Sequence, residues 1–336
     1  MPIGRPEMAA SVALASSPTL STKLRRFVFS QEGILLIAIV VLFLTVGAYN
    51  QRFLSANNLS SIFLGNAYIA VAAIGMSMVI VSGNIDVSVG SLIGVLAVIS
   101  GTLAVNGWPL WLAWTLPILV GMAVSAVNGW LVAYMRVPSI VVTLGMLSIL
   151  KGGLISVTAG AWINNLPDGY QLAQLRPLGV PMAVWFMIVL TALAAFWMRY
   201  SGFGRSIYAV GGNAEAARLA GIDRKRTVFI VFIIHGFFAG IAAILFATQL
   251  SVIQSTVPPN LELTVITASV VGGVSILGGT GTVIGSTFAA ILIAAIGSSL
   301  VFINVSPYWL RAVQGLLILL TVLADLARRK KRARHR

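Results

Sequence analysis

Long apolar runs separated by short polar connectors fill this chain from residue 33 to residue 326. A membrane span needs roughly 20 mostly apolar residues. By that measure ten runs qualify: 33–50, 60–82, 89–106, 110–133, 138–158, 179–198, 227–249, 262–278, 282–303 and 308–326. The pattern predicts an all-α, polytopic membrane protein of about ten transmembrane helices. One connector stands apart. Arg199–Arg226 is a polar island carrying six basic residues in 28 positions. Its middle, Asn213 to Ala220, predicts a short helix: Asn213 is a good N-cap, Glu215 falls in the first turn, and Gly221 can supply a left-handed C-cap. A short capped helix held in a basic loop between spans is a handle for something soluble. The chain then divides into an N-terminal tail (1–32), a transmembrane domain (33–326) holding the loop 199–226, and a basic tail (327–336).

Composition agrees. Of the 336 residues 58% are hydrophobic and only 9% charged, against roughly 25% charged in soluble domains. The net charge of +14 does not point to nucleic acid, because the basic residues cluster at span ends and no soluble domain presents them as a groove. They orient the chain instead. With an even span count and both termini cytoplasmic, 18 of the 22 Lys and Arg fall on the cytoplasmic side; Arg52, Lys151, Arg176 and Arg311 do not. The positive-inside rule favours that arrangement. Ala13-Leu14-Ala15 imitates a signal-peptidase site, but no apolar segment precedes it, so residues 1–32 read as a cytoplasmic tail. There is no cysteine, and His235 and His335 are the only histidines; that excludes thiolate chemistry and leaves little for a metal site.

Acidic residues inside spans cost roughly 2.5–3.5 kcal/mol on insertion scales, so each needs a reason. Asp86 lies among Gly83, Asn84 and Ser88, just ahead of an apolar helix. Two compatible roles are open to it. It can cap free amides at the positive end of that helix, or, with Asn84 and Ser88, offer hydrogen bonds to a polar solute where a broken helix lines a path. Glu262 opens the eighth span, with capping or the same path as its roles. His235 lies mid-span and reads as a buried, satisfied histidine before a proton relay, and Lys151 can snorkel. The longest external connector, 159–180, carries Trp162, Asn164, Asp168 and Tyr170. It is a solvated connector or a docking surface for an external partner, since aromatic residues favour interfaces.

Gly83–Ser91 and Gly278–Ser286 open the third and ninth spans in similar ways, a parallel echo. Pairs such as Gly90/Gly94, Gly236/Gly240 and Gly281/Gly285 allow close helix approach. No Gly-Lys-Ser/Thr, Gly-x-Ser-x-Gly or His-Glu-x-x-His sequence occurs, so no P-loop, serine-hydrolase elbow or zincin site is expected. An enzyme would have to rest on Asp86, Glu262 and His235 alone; no catalytic or metal-ligating residue is assigned.

Gly212-Asn-Ala-Glu-Ala-Ala-Arg-Leu-Ala-Gly-Ile222 resembles the cytoplasmic coupling loop of the permease subunits of ribose-type sugar ABC importers, whose members also carry autoinducer-2. The resemblance extends to Ser82–Ser91, Val137–Met146 and Val270–Ser286, and covers nearly the whole chain from about Arg26 to Ala327. Asn84 departs from the glycine more usual at its place. The resemblance implies a non-enzymatic permease of the bacterial inner membrane, surrounded by lipid, that moves a monosaccharide or related small polar solute. It implies a second permease chain, a cytoplasmic ATP-binding subunit and a periplasmic solute-binding protein as partners. Asn213, Glu215, Arg218 and Gly221 would then carry the helix that docks on the ATPase, and ATP and Mg would stay on that partner, leaving no cofactor on this chain. The rival from another class is a proton- or sodium-coupled secondary transporter, which predicts essential membrane carboxylates and gives the helix at 213–220 no role.

Overall fold

A computed structural model describes Val28 and residues 30–334, with side chains described through Ala327. Expectations for the tail before Val28 and for the basic side chains from Arg328 onward fall outside the described residues. Among the described residues the backbone forms twelve α-helices, three short 3-10 turns and no strand beyond an isolated bridge between Ile163 and Ile253. Eight helices are long and apolar enough to cross a membrane: α1 (Gln31–Tyr49), α2 (Ala56–Val81), α4 (Leu110–Ala133), α5 (Ser139–Thr158), α6 (Met182–Tyr200), α9 (Arg224–Ala247), α11 (Val283–Phe302) and α12 (Trp309–Arg334). Two shorter apolar helices, α3 (Val89–Val105) and α10 (Leu261–Val271), account for the other two expected spans. Short α7 (Gly202–Gly212) and α8 (Ala214–Leu219) occupy the polar island.

Local chemistry sets the boundaries. Ser30, Ser55 and Thr282 accept backbone N–H groups in the first turns of α1, α2 and α11, and Asp223 does so for α9. Pro109, Pro138 and Pro181 stand immediately before α4, α5 and α6, where a residue with no N–H and a fixed φ is well placed. In α2 and α9 the most apolar stretch is 83% and 72% buried, against 11% in α5 and 6% in α12. The first pair is therefore the centre of the bundle and the second its rim. The rim is apolar outward, with Ile149, Val157, Leu316 and Leu319 exposed, as lipid-facing helices require. Small residues bring the central backbones together. A Cβ on Gly236 would meet the Ser125 Cβ at 2.8 Å, and one on Gly240 the Ile118 Cα at 2.6 Å, so the Gly236/Gly240 pair seats α9 on α4.

The eighth expected span, 262–278, is corrected by the structure. As a helix it stops at Val271, because five of the ten residues 272–281 are glycine and four of these (Gly273, Gly278, Gly279, Gly281) hold positive φ. Eleven residues rise only about 16 Å, half a bilayer core. The missing half is non-helical chain ahead of α10. It runs down one face of α3: Ile253 against Gly101, Val257 and Pro258 against Gly94, and Leu261 and Glu262 against Gly90. Spacings of four and seven residues place these glycines on one helix face, and a groove without Cβ atoms gives a non-helical backbone room within protein.

One end of the bundle collects the polar island, both glycine-rich turns and the described chain ends. Gln31 Nε2 donates to the Val271 carbonyl at 3.2 Å, the Thr282 hydroxyl to Glu32 at 2.6 Å, and the Ser275 hydroxyl to Asp325 at 2.6 Å. The near ends of α1 and α12 therefore share that face, in keeping with an even number of crossings.

Candidate functional site

Helix α8 forms where the sequence predicts it. The Asn213 carboxamide accepts the N–H groups of Glu215 and Ala216 at 3.1 and 3.0 Å. At the other end Gly221, φ +79°, closes a Schellman turn: its N–H donates to the Arg218 carbonyl at 3.0 Å, and Ile222 N–H to Ala217 at 2.9 Å. Glu215 and Arg218 pair across one turn at 2.6 Å, with side chains 68% and 69% exposed. The carboxylate holds the Arg218 pKa above its ordinary value, but an exposed pair of this kind is weak and free to exchange partners. Ala217 alone is buried, anchoring the helix to the bundle.

Behind α8 three backbones cross with almost no side chain between them. The N–H of Gly279 donates to the Val81 carbonyl, the last residue of α2, at 2.8 Å. Gly211, near the end of α7, lies against that carbonyl and against Gly279 N, and Gly278 rests on Gly83. The two echoing motifs are thus in contact, and the residue pair that precedes the cap of α8 is wedged between them. The Tyr208 hydroxyl adds a bond to the Gly281 carbonyl at 2.9 Å. A cavity of about 870 Å³ opens beside this crossing, with Glu215, Arg218 and Gly221 on one wall and Asn84, Arg136 and Ser139 on another.

The break between α2 and α3 holds Asn84, Asp86 and Ser88 together, all buried. Asp86 Oδ1 accepts the Ser88 N–H at 2.8 Å and the Ser88 hydroxyl at 2.5 Å. Its Oδ2 takes the Asn128 amide at 3.5 Å and faces His235 Nε2 at 3.7 Å. Asp86 therefore closes a turn onto Ser88 just ahead of α3 and does not cap the helix as expected, since Ser88 holds the N-cap place and no side chain accepts the first N–H groups of α3. It is fully enclosed in this conformation, and of the three only Asn84 reaches the cavity. Glu262 lies against Gly90, in the first turn of α3 and two residues past Ser88, half-buried.

Sequence reading missed the supports of this break. The Ile85 and Val87 N–H groups, which no helix satisfies, donate to the Ser139 and Thr143 hydroxyls of α5 at 3.2 and 3.1 Å. Ser139 and Thr143 are four residues apart, so they share a helix face; that spacing inside the Val137–Met146 motif was the available signal. Asn128 carries no such signal, since only tertiary packing brings α4 to Asp86. His235 is buried as expected but not satisfied, because neither ring nitrogen has a hydrogen-bond partner.

On the opposite end Trp162, Asn164 and Asp168 are exposed, but Tyr170 is not the surface residue expected. It is fully buried, its hydroxyl 2.8 Å from Ser100 Oγ, because the connector folds inward over the end of α3 away from α8. Burial pushes the phenol up to about 12, so it stays protonated at any physiological pH. Tyr170→Phe should lower stability by about 1 kcal/mol and leave the exposed residues of the loop in place; thermal unfolding in detergent, compared with uptake, checks this.

Residues 58–322 match the family described as branched-chain amino acid transport system / permease component. The autoinducer 2 import system permease protein LsrC of Salmonella typhi is 37% identical over 297 residues, 88% of this chain and 86% of that protein. The same-named protein of Escherichia coli (strain K12 / DH10B) is 35% identical, covering 88% and 87%. No solved structure matches the chain. A capped helix standing off a ten-segment bundle, glycine-crossed to two helix breaks, thus occurs in a chain that belongs to this permease family of ABC-type importers.

Proposed function

We propose that this permease moves a monosaccharide or related small polar solute across the bacterial inner membrane, driven by an ATPase that grips α8. The observation that carries the reading is α8 itself: a rigidly capped helix, exposed on Glu215 and Arg218, whose root is the Gly211 crossing. A force applied to such a helix reaches both breaks through backbone contact, with no flexible side chains to absorb it. The face bearing α8 is cytoplasmic, a second permease chain completes the path along which Asn84, Asp86, Ser88 and Glu262 act, and a solute-binding protein meets Trp162, Asn164 and Asp168 outside. ATP and Mg belong to the ATPase. A proton-coupled carrier finds less support, since it leaves the capped and exposed α8 without a role.

The test is charge reversal in vesicles holding the complete importer. Glu215→Arg and Arg218→Glu should each cut ATP-driven uptake about tenfold or more, a coupling loss above about 1.4 kcal/mol, while insertion stays normal. The swapped double variant restores the pair within α8 but not its outward pattern, so it should remain uncoupled. Wild-type uptake in the single variants would sink the docking role, and rescue by the swap would reduce the pair to helix stability.

A further inference from the structure

At the end of the bundle away from α8, a pocket of about 360 Å³ lies between α2, α10, α11 and α12. Small-molecule sites begin near about 300 Å³. Its polar lining is Asn58, Ser61 and Asn66 of α2, Thr264 of α10, Ser298 of α11 and Gln314 of α12, and the rest is isoleucine, leucine, alanine and glycine. Asn66 stands ten residues into α2, about 15 Å along its axis, so the pocket reaches from the outer end well into the membrane.

Amides at that depth are expensive and call for a function. Some of their capacity is used internally: Ser298 Oγ donates to Asn58 Oδ1 at 2.9 Å, Gln314 Nε2 to Thr264 Oγ1 at 3.3 Å, and Asn66 Nδ2 to the Ile62 carbonyl at 2.9 Å. Each carboxamide has two N–H donors and an oxygen with two lone pairs, so donors and acceptors remain on both walls. No acidic or basic side chain lines the pocket. A free amino acid would bring an ammonium and a carboxylate, each requiring an opposite charge or several fixed dipoles once out of water. A hydroxylated neutral molecule asks for mixed donors and acceptors without charge.

We infer that this pocket is a binding site for a neutral polyhydroxylated solute on its way through the permease. The inference rests on the reading of the chain as a monosaccharide permease and adds a place in the bundle where the solute binds. It is tested by a route independent of ATP coupling. The chain has no cysteine, so Asn66→Cys and the nearly isosteric Ser298→Cys each place a single thiol in the pocket, and Ile149→Cys places one on the rim. Spheroplasts carrying the complete importer are treated from outside with a membrane-impermeant thiosulfonate. Both pocket thiols should react and the rim thiol should not. D-ribose, D-galactose or autoinducer-2 should slow the pocket reaction by 1 + [L]/Kd, about tenfold at a concentration about ten times Kd, while L-leucine should not. Unreactive pocket thiols, protection by leucine alone, or no protection by any of the three polyols would each overturn the inference. Reactive and protected thiols beside wild-type uptake in the α8 charge reversals would leave the pocket standing and sink the docking role instead.

Discussion

Replacing Gly211 by alanine should abolish most transport, although it adds a single methyl group. The residue is helical with an ordinary negative φ, so its backbone has no need of glycine. The space has that need. A Cβ there would fall on the Val81 carbonyl and 2.8 Å from Gly279 N, the two atoms joined by the 2.8 Å hydrogen bond that ties α2 to the second glycine turn. Both obstacles are backbone, so no rotamer change relieves the clash. Overpacking costs about 1–3 kcal/mol and loss of the hydrogen bond about 1 kcal/mol more, and relief by separating α7 from α2 would detach α8 from both breaks. Uptake is expected to fall by more than about tenfold, with a lowered unfolding temperature. Gly145→Ala is the matching control: that glycine lies inside α5 with nothing within 4 Å of the added atom. It should be neutral or stabilising by about 0.5–1 kcal/mol. Equal behaviour of the two variants in uptake and thermal melts would mean that the crossing is not packed closely.

The contrast between these glycines marks where sequence reading stops. Caps are local, so Asn213 and Gly221 were legible: each acts on N–H or C=O groups within a few residues. The apolar runs were legible because each segment had to satisfy its own backbone in the membrane. The end of α10 was harder, since Val270 to Gly281 stays apolar while its glycines break the helix, and hydropathy does not register φ. The short α7 was missed because its buried face, Gly204, Ile207 and Val210, is only two turns long and sits in a basic stretch. Tyr170 was misplaced for a related reason: polar neighbours mark a connector as exposed, while its burial depends on Ser100, 70 residues away. Nothing local told Gly211 from Gly145 either, since the difference is the backbone that each one faces.

Asp86 carries the other large expectation, and two variants separate its roles. Asp86→Ala would strip the acceptor from the Ser88 N–H and hydroxyl, and leave the Asn128 amide and His235 without it, in a site where all four residues are fully buried. Breaking a buried polar cluster from one side costs about 3–5 kcal/mol, comparable to the whole stability of many domains. The variant should therefore accumulate poorly and melt early. Asp86→Asn keeps an oxygen for the Ser88 N–H in the turn ahead of α3, while replacing the carboxyl oxygen that faces His235. It should insert and fold at a smaller penalty, about 1–3 kcal/mol. If that turn is all that Asp86 supplies, uptake per folded Asp86→Asn molecule will equal wild type. A loss of uptake per folded molecule would place Asp86 on the path, exposed in a conformation other than the enclosed one, as a solute-facing role requires. Adding His235→Leu discriminates further: with the imidazole gone, Asp86→Asn should become less damaging to stability, by about 0.5–3 kcal/mol of coupling. Strict additivity in thermal melts would show that the 3.7 Å approach of these two side chains contributes nothing.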